Sequence, residues 1–255
     1  MKKNIAIALT LLSAVCAQAQ EKKYPEPEGM RPGMTEFWTP QRKVVTPGDI
    51  KTNSAPSDAI VLFDGKNLDA WHNGNGGPAE WIVKNGVVTV DKTKGDIVTR
   101  KNFGSFQLHL EWCVPADING EGQGRGNSGV FLQDKYEVQI LDCYKNETYA
   151  NGQTGSVYKQ VIPLANAMRK PGEWNVYDII YSAPVFNEDG TYKVAPTVTV
   201  IHNGIVLLNH FTIRGTTEYI GHPQVRPHGD GPIRLQMHGD PSEPISFRNI
   251  WIREM

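Results

Sequence analysis

The chain has 255 residues, of which 39% are hydrophobic and 21% charged, with 25 glycines, 17 prolines and 3 cysteines. This hydrophobic fraction is enough for a packed core and excludes a disordered chain, while three cysteines without a CxxC pair exclude a disulfide-stapled scaffold and a zinc knuckle. A net charge of -1 offers no electrostatic footprint for nucleic acid or an anionic membrane, so neither is expected as a partner.

Residues 1–19 have the pattern of a secretory signal peptide. Two lysines precede an apolar run over residues 5–15, and Ala17-Gln18-Ala19 supplies a small-x-small cleavage site. The run is shorter than the roughly 20 residues that a transmembrane helix needs, so no transmembrane segment is expected. We therefore expect an exported protein, periplasmic or extracellular. Acylation of Cys16 as a lipoprotein is the alternative, and the residues before Cys16 fit it less well.

A proline-rich arm is predicted for residues 20–57, which carry six prolines and no sustained apolar periodicity. Residues 58–255 form a single predicted domain. Removal of the signal peptide would leave two cysteines, Cys113 and Cys143, in a compartment where disulfides can form. A disulfide between them and a pair of free thiols both stay open.

From Ile60 onward, short β-rich runs alternate with turn signals. Asn-Gly pairs at 85–86 and 203–204 predict tight hairpins, and the runs 106–112, 130–133 and 136–140 alternate strictly between apolar and polar residues. Only one short helix is expected, around 163–168, so helices do not separate the strands as in a parallel sheet. We predict an all-β domain, an antiparallel β-sandwich of the jelly-roll type, whose first and last strands could pair.

Three of the predicted strands carry a polar face opposite their core face. The residue types are glutamate, glutamine, histidine and arginine, without the lysine that is common on a merely solvated face. They are Gln107, His109, Glu111, Glu137, Gln139, Arg234, Gln236 and His238. Planar donors and acceptors of these types suit sugar hydroxyls, and two carboxylates could serve as acid and base in glycosyl transfer. A sheet face that is simply in contact with water is the alternative.

Three other motifs suggest chemistry that their context does not support. The glycine-rich segment 120–126 lacks the Gly-Lys-Ser/Thr ending of a phosphate loop, and no helix is predicted after it. His222, His228 and His238 fit no zinc signature and are better explained as isolated loop histidines. The segment 126–129 is not the Gly-x-Ser-x-Gly of a serine hydrolase.

A series of motifs runs through the domain in a fixed order. They are the opening segment 62–68 with Trp71, the central blocks 126–131 and 136–142, Gly172-Glu173-Trp174-Asn175, and the closing segments 231–236 and 247–250. This series resembles the 3-keto-disaccharide hydrolase family over about residues 58–255. The resemblance implies the fold of the concanavalin A-like lectins and glucanases, export from a bacterial cell, and an oxidised glycoside as the carbohydrate substrate. The glycine-rich segment before Asn127 departs from the family pattern, and such a loop is expected to border the cleft.

The chemistry of a 3-keto sugar leads to a hypothesis about residue roles. A ketone at C3 acidifies the hydrogen at C2, so elimination of the C1 substituent needs a base, an acid at the leaving oxygen and a donor on the keto oxygen. We expect Glu137 to be the leading acid/base residue and Glu111 its candidate partner. The expected substrate-binding residues are His109, Asn127, Ser128, Gln139, Asp142, Arg234, Gln236 and His238.

An enzyme that cleaves glycosidic bonds is the favoured interpretation of these residues. No cofactor is certain, although a divalent metal could polarise the ketone. A non-catalytic, lectin-like carbohydrate-binding module is the first alternative, because the same fold serves lectins. A structural cell-surface protein with a solvated polar sheet is the second.

Overall fold

The computed structural model describes residues 29–255, so the expected signal peptide, Cys16 and the start of the arm lie outside the described residues. The chain divides into two compact units, the second running from Val45 to Met255. The described part of the first unit contains a short 3-10 helix, Pro32–Met34. The second unit includes the end of the predicted arm and all the strands described below. No helix in residues 29–255 has the length and apolar character to cross a membrane.

Fifteen strands form the second unit, and every pairing between them is antiparallel. In chain order they are β1 (Ile60–Phe63), β2 (Trp71–Asn73), β3 (Ile82–Lys84), β4 (Val87–Thr89), β5 (Ile97–Thr99), β6 (Phe106–Cys113), β7 (Ser128–Leu132), β8 (Tyr136–Ile140), β9 (Trp174–Ser182), β10 (Val185–Phe186), β11 (Tyr192–Val194), β12 (Thr197–His202), β13 (Ile205–Thr212), β14 (Arg234–Leu235) and β15 (Ser246–Glu254). The strands β10 and β11 pair with each other as a separate ribbon.

The other strands form two sheets. The larger sheet has the order β13-β12-β9-β6-β15-β4-β3, with β1 also paired to β15, and the smaller has the order β2-β5-β14-β7-β8. Ile60 of β1 lies opposite Ile252 of β15, so the first and last strands pair as the sequence suggested. The predicted antiparallel β-sandwich is confirmed.

The core lies between the two sheets and is built from alternate residues of each strand. The larger sheet contributes Phe106, Leu108, Leu110 and Trp112, and the smaller contributes Tyr136, Val138 and Ile140, all almost fully buried. Because successive side chains of a strand point to opposite faces, the residues between these point away from the core. The sandwich therefore has two separate outer faces, one on each sheet.

The turns follow the sequence signals, and the expected helix does not form. The φ values are 52° at Asn85 and 78° at Gly86, and they are 52° at Asn203 and 81° at Gly204. A two-residue hairpin turn of this type requires positive φ at both of its residues. The expectation of a helix at 163–168 was wrong, because this segment has no regular secondary structure. Leu164 N instead donates to Leu207 O at 2.9 Å, which ties the segment to β13.

Both cysteines of the second unit are free thiols. Cys113 is half-buried at the end of β6, while Cys143 is buried just after β8. Thr154 lies beside the Cys143 sulfur, with its backbone nitrogen and its hydroxyl both 3.3 Å away. Of the two alternatives left open by the sequence, the structure therefore has the pair of free thiols.

Candidate functional site

A cleft of about 810 Å³ lies on the outer face of the smaller sheet. Its sheet wall is formed by Glu137 and Gln139 of β8, Phe131 of β7 and Arg234 of β14, the residues that alternate with core positions on these strands. Gln123 of the glycine-rich loop also lines the cleft, which confirms that this loop borders it. Pockets of this size usually accept a molecule as large as a disaccharide.

Glu137 is a buried ionisable group in the cleft wall, with 5% of its surface exposed. Burial raises the pKa of Glu137 to about 8, with the positive charge of Arg234 lowering it and the negative charge of Asp96 raising it. At neutral pH the side chain is therefore mostly a neutral carboxylic acid, which can donate a proton.

The carboxyl group of Glu137 leans across the backbone of Gly129 on the neighbouring strand. A methyl group at Gly129 would lie 2.5 Å from Glu137 Oε1, a distance that real contacts do not reach. Gly129 does not have a positive φ, so the requirement for glycine here comes from the close approach of the carboxyl group. Gly129 therefore helps to shape the site around the Glu137 carboxyl group.

Side-chain amides surround the acid. With its nitrogen toward Glu137, Gln139 donates to Glu137 Oε1 at 3.0 Å and to the Ser128 carbonyl at 3.2 Å. Gln123 Nε2 donates to the Gly152 carbonyl at 2.9 Å, and Asn127 Nδ2 donates to the Gln123 carbonyl at 2.9 Å. The hydrogen bond from Gln139 holds Glu137 Oε1 in the wall of the cleft.

The remaining polar groups of the sheet wall differ in how they are held. Arg234 pairs with Asp96 at 2.7 Å and with Asp134, and its guanidinium lies 3.5 Å from the centre of the Phe131 ring. Its charge is therefore already neutralised. Gln236 also lines the cleft, and its buried Oε1 has no hydrogen-bond partner among the described residues.

His238 and Asp240 form a pair at one side of the cleft. His238 Nδ1 lies 3.1 Å from Asp240 Oδ2, and the Asp240 side chain is only 2% exposed. Burial by itself would raise the pKa of Asp240, but hydrogen bonds from His238 and Ser242, together with the charge of Lys92, lower it below its usual value. Asp240 is therefore an ionised partner for the imidazole ring.

Three tyrosines and a lysine form another wall of the cleft. Lys159 Nζ lies 5.8 Å, 5.6 Å and 4.5 Å from the ring centres of Tyr149, Tyr158 and Tyr219. The hydroxyls of Tyr149 and Tyr158 are 2.5 Å apart. Aromatic rings of this kind offer flat apolar surfaces that can stack against a sugar.

Comparison with known proteins places the chain in a family. Residues 58–253 match the family described as the 3-keto-alpha-glucoside-1,2-lyase-like domain. The chain belongs to this family. The family resemblance drawn from the sequence motifs is thereby confirmed.

Individual relatives agree with this membership. A 3-keto-disaccharide hydrolase of Bacteroides thetaiotaomicron is 28% identical over 163 residues, which are 47% of this chain and 52% of that protein, so the chain spans about half the length of this relative. A crystal structure from Parabacteroides distasonis, proposed to be a glycosyl hydrolase, is 66% identical with a TM-score of 0.87 and covers 90% of this chain and 99% of that one. A second such structure from the same organism is 25% identical, with a TM-score of 0.54 over 77% of this chain and 99% of that one. The chain is thus similar, over 90% of its length, to a structure described as that of a glycosyl hydrolase.

Six of the ten residues predicted for the site come together in this one cleft. They belong to the smaller sheet and to the loops beside it, and they are Asn127, Glu137, Gln139, Arg234, Gln236 and His238. Period-two alternation identified the outward side of β8 and β14 correctly. The roles of these residues stay a prediction.

Glu111 and His109 do not belong to this cleft, so the expected pairing of Glu111 with Glu137 needs correction. Both lie on β6 of the larger sheet and point outward from it, while Glu137 points outward from the smaller sheet. Glu111 is instead paired with Arg248 at 2.6 Å and accepts a hydrogen bond from Asn249 at 3.0 Å. The whole core separates the two carboxylates.

Ser128 and Asp142 were also expected to bind substrate, and the structure places both away from the cleft. Ser128 is fully buried on the core side of β7, where its hydroxyl donates to the Gln236 carbonyl at 2.7 Å. Asp142 is fully buried after β8, where its Oδ2 lies 2.7 Å from Arg125 Nε. Each side chain has a structural partner and does not line the cleft.

No group of three or more histidine, cysteine, aspartate or glutamate side chains within residues 29–255 is arranged to hold a metal ion. The three histidines considered together in the sequence have separate surroundings. His228 Nε2 lies 2.8 Å from the Tyr136 hydroxyl, His238 is paired with Asp240, and His222 is exposed.

Sequence reasoning missed several cleft residues. Asp240 could have been found, because it follows His238 by two residues. Tyr149, Tyr158 and Lys159 lie in the long segment between β8 and β9, and no local pattern shows that this segment folds back over the outer face of the smaller sheet. Only long-range contacts, such as the bond from Tyr158 N to Glu137 O at 3.1 Å, place them there.

Proposed function

We propose that this chain cleaves the glycosidic bond of 3-keto disaccharides or 3-keto glucosides in the cleft around Glu137. One observation carries the proposal: the cleft wall holds a carboxylic acid that is buried, neutral at pH 7 and fixed by Gln139 and Gly129. A glycosidic oxygen can leave only if it receives a proton, and a group whose pKa is close to the working pH is well suited to give one.

The 3-keto group opens a route to bond cleavage in which Glu137 serves as the acid at the leaving oxygen. Loss of the proton at C2 gives an enolate, and this enolate expels the C1 oxygen as the double bond between C1 and C2 forms. Water can then add to the double bond, so that the overall result is hydrolysis. This sequence of steps agrees with the lyase-like description of the family and with the hydrolase name of the Bacteroides relative.

Substrate binding would rely on uncharged groups. The amides of Asn127, Gln123 and Gln236 suit the hydroxyls of a neutral sugar, and Tyr149 and Tyr219 offer rings for stacking. Arg234 has two carboxylate partners, so we assign it to the support of the sheet wall. A purely structural surface protein would not need a cleft of this volume.

The signal-like N-terminus supports a proposal about where in or outside the cell this reaction takes place. We propose that the protein works after export, in the periplasm or outside the cell, where oxidised glycosides would reach it. Fractionation of cells that express the full chain tests this point separately from the chemistry.

The deciding experiment compares the protein with its Glu137→Gln variant. Each is incubated with 3-keto and ordinary disaccharides, with and without a chelator, and released monosaccharide is measured. We expect release from the 3-keto substrate only, and a loss of at least about 100-fold in Glu137→Gln. The variant Glu111→Gln is the matched control, because Glu111 is a buried glutamate on the other sheet.

Two outcomes would contradict the proposal. Near-normal turnover in Glu137→Gln would remove Glu137 from the chemistry. Saturable sugar binding without any release by the unsubstituted protein would instead favour the lectin-like module.

A further inference from the structure

The elimination step needs a base as well as an acid, and Glu137 cannot be both at once. At neutral pH the buried Glu137 already holds its proton. The carboxylates Asp96 and Asp134 are both paired with Arg234. A neutral group with a free lone pair that faces the cleft must therefore be sought elsewhere in its wall.

His238 has the features that such a base requires. Its Nδ1 lies 3.1 Å from Asp240 Oδ2 and 3.2 Å from Asp240 N, whereas its Nε2 has no hydrogen-bond partner among residues 29–255. The side chain is 36% exposed and lines the same cleft as Glu137. When Nδ1–H donates to the Asp240 carboxylate, and Nδ1 does not accept from Asp240 N, the ring is in the tautomer in which Nε2 carries the lone pair.

Asp240 is itself held in place by groups from two parts of the chain. Its Oδ1 accepts a hydrogen bond from Ser242 N at 3.0 Å and another from the Ser242 hydroxyl. Lys92, which follows β4, donates to the carbonyls of Asp240 and Ser242 at 2.6 Å and 2.5 Å. The carboxylate is thus fixed before substrate arrives, and it can orient the imidazole ring.

We propose that His238 is the catalytic base that removes the C2 proton of the 3-keto glycoside, and that Asp240 is the positioning residue that keeps its Nε2 free and correctly oriented. The inference rests on the proposed function, and it assigns a residue to the other proton transfer of that reaction, the removal of the proton from C2. His238 thereby receives a different role from the substrate-binding one expected from the sequence.

The proton and electron balance of the step is complete. His238 Nε2 takes the proton from C2, and the C–H electron pair forms the C2–C3 double bond of an enolate whose charge lies on the C3 oxygen. When the C3 carbonyl forms again, the C1–C2 double bond forms and the C1–O bond breaks. The leaving oxygen takes the proton of Glu137, and the charge of His238 is balanced by the neighbouring Asp240. No oxidant or reductant is consumed.

The two proton transfers can be measured separately in deuterium oxide. Exchange of the C2 hydrogen, followed by NMR, reports on the base, and release of the leaving sugar reports on the acid. The set comprises the unsubstituted protein, Glu137→Gln, His238→Gln and Asp240→Asn, with a blank that gives the rate of spontaneous exchange. His210→Asn is the matched control, because His210 is an exposed histidine on β13 of the other sheet, and asparagine tolerates its φ of 49°.

We expect Glu137→Gln to exchange the C2 hydrogen while releasing little sugar, because the exposed imidazole can trade its proton with solvent. His238→Gln should lose both exchange and release by at least about 100-fold. Asp240→Asn should lower exchange at least about tenfold with KM nearly unchanged, since asparagine would turn a donor toward Nδ1 and favour the wrong tautomer. His210→Asn should match the unsubstituted protein in both measurements.

The outcomes separate the two proposals. If the unsubstituted protein cleaves the substrate and His238→Gln still exchanges and cleaves normally, the assignment of the base is wrong while the proposed function stands. If the unsubstituted protein neither exchanges nor cleaves any 3-keto glycoside, the proposed function fails and the assignment fails with it. Unchanged thermal unfolding of each variant shows that a loss is chemical.

Discussion

Glu137 and Gly129 lie on neighbouring strands with no space between them for a methyl group. A β-carbon at Gly129 would be 2.5 Å from Glu137 Oε1, 3.0 Å from Cγ and 3.1 Å from Cδ. The two residues lie diagonally across the β7–β8 pair, because Gly129 is directly opposite Gln139 and Glu137 is opposite Phe131. The buried position of the acid therefore depends on the absence of a side chain on the next strand.

The first prediction tests this dependence with Gly129→Ala. We expect the methyl group to push the carboxyl group away from Gln139 and to lower kcat at least about tenfold, because small misplacements of a catalytic group are costly. Steady-state kinetics with a 3-keto disaccharide measures the effect. Gly74→Ala is the control, since Gly74 is exposed and a methyl group there meets nothing within 4 Å. Equal kcat values for the two variants would show that the position of Glu137 does not depend on Gly129.

The second prediction concerns the pH dependence of stability. The pKa of Glu137 is about 8 in the folded protein against 4.5 for an unperturbed glutamate, so between these values the folded state holds a proton that the unfolded state has lost. The free energy of unfolding should therefore fall as pH rises through this window, by at most about 1.4 kcal/mol per pH unit from this group. Urea unfolding of the protein and of Glu137→Gln measures it. Parallel curves for the two proteins would contradict the raised pKa.

The third prediction concerns Glu111 on the opposite face. Burial alone would raise the pKa of Glu111, but hydrogen bonds from His109, Asn249 and Arg248 outweigh it and hold the pKa at about 2. Its stabilising contribution is present above the unfolded value of 4.5 and is lost as pH falls toward 2. Glu111→Gln should therefore cost about 1–3 kcal/mol at neutral pH, and less in acid.

The loss of stability in Glu111→Gln should not be accompanied by a loss of catalytic activity. The turnover of folded Glu111→Gln on a 3-keto disaccharide should equal that of the unsubstituted protein. A large fall in kcat at unchanged folding would mean that the outer face of the larger sheet takes part in the chemistry.

The fourth prediction concerns the buried ion pair of Arg125 and Asp142, whose Nε and Oδ2 atoms are 2.7 Å apart. Arg125→Met should cost about 3–5 kcal/mol, because it leaves a buried carboxylate without its counter-charge. Addition of Asp142→Asn should recover part of that loss. A double-mutant cycle by urea unfolding measures the coupling, and strictly additive effects would show that the two groups do not interact.

The strands show how far a local pattern can be read. Alternation in β8 identified Glu137 and Gln139 as outward residues, and the same alternation in β6 did so for His109 and Glu111. In both strands the core side is confirmed by burial. Ser128 shows that alternation along a strand can outweigh a family motif. The motif around Ser128 suggested substrate binding, but Ser128 shares a face of β7 with Val130, and that face is the core side.

The sequence by itself determined the class of fold, the hairpins, the family and which side of each strand faces out, because these depend on neighbours a few residues apart. Only the tertiary structure decided which outward residues share a face. Strands β6 and β8 belong to different sheets, and sheet membership depends on hydrogen bonds between strands far apart in the chain. The tertiary structure likewise placed Tyr158 beside Glu137, where Tyr158 N donates to Glu137 O. The same fold buries the Glu137 side chain. The raised pKa of Glu137 arises from this burial, so the sequence pointed to the residue while only the folded chain shows why its carboxyl group holds a proton.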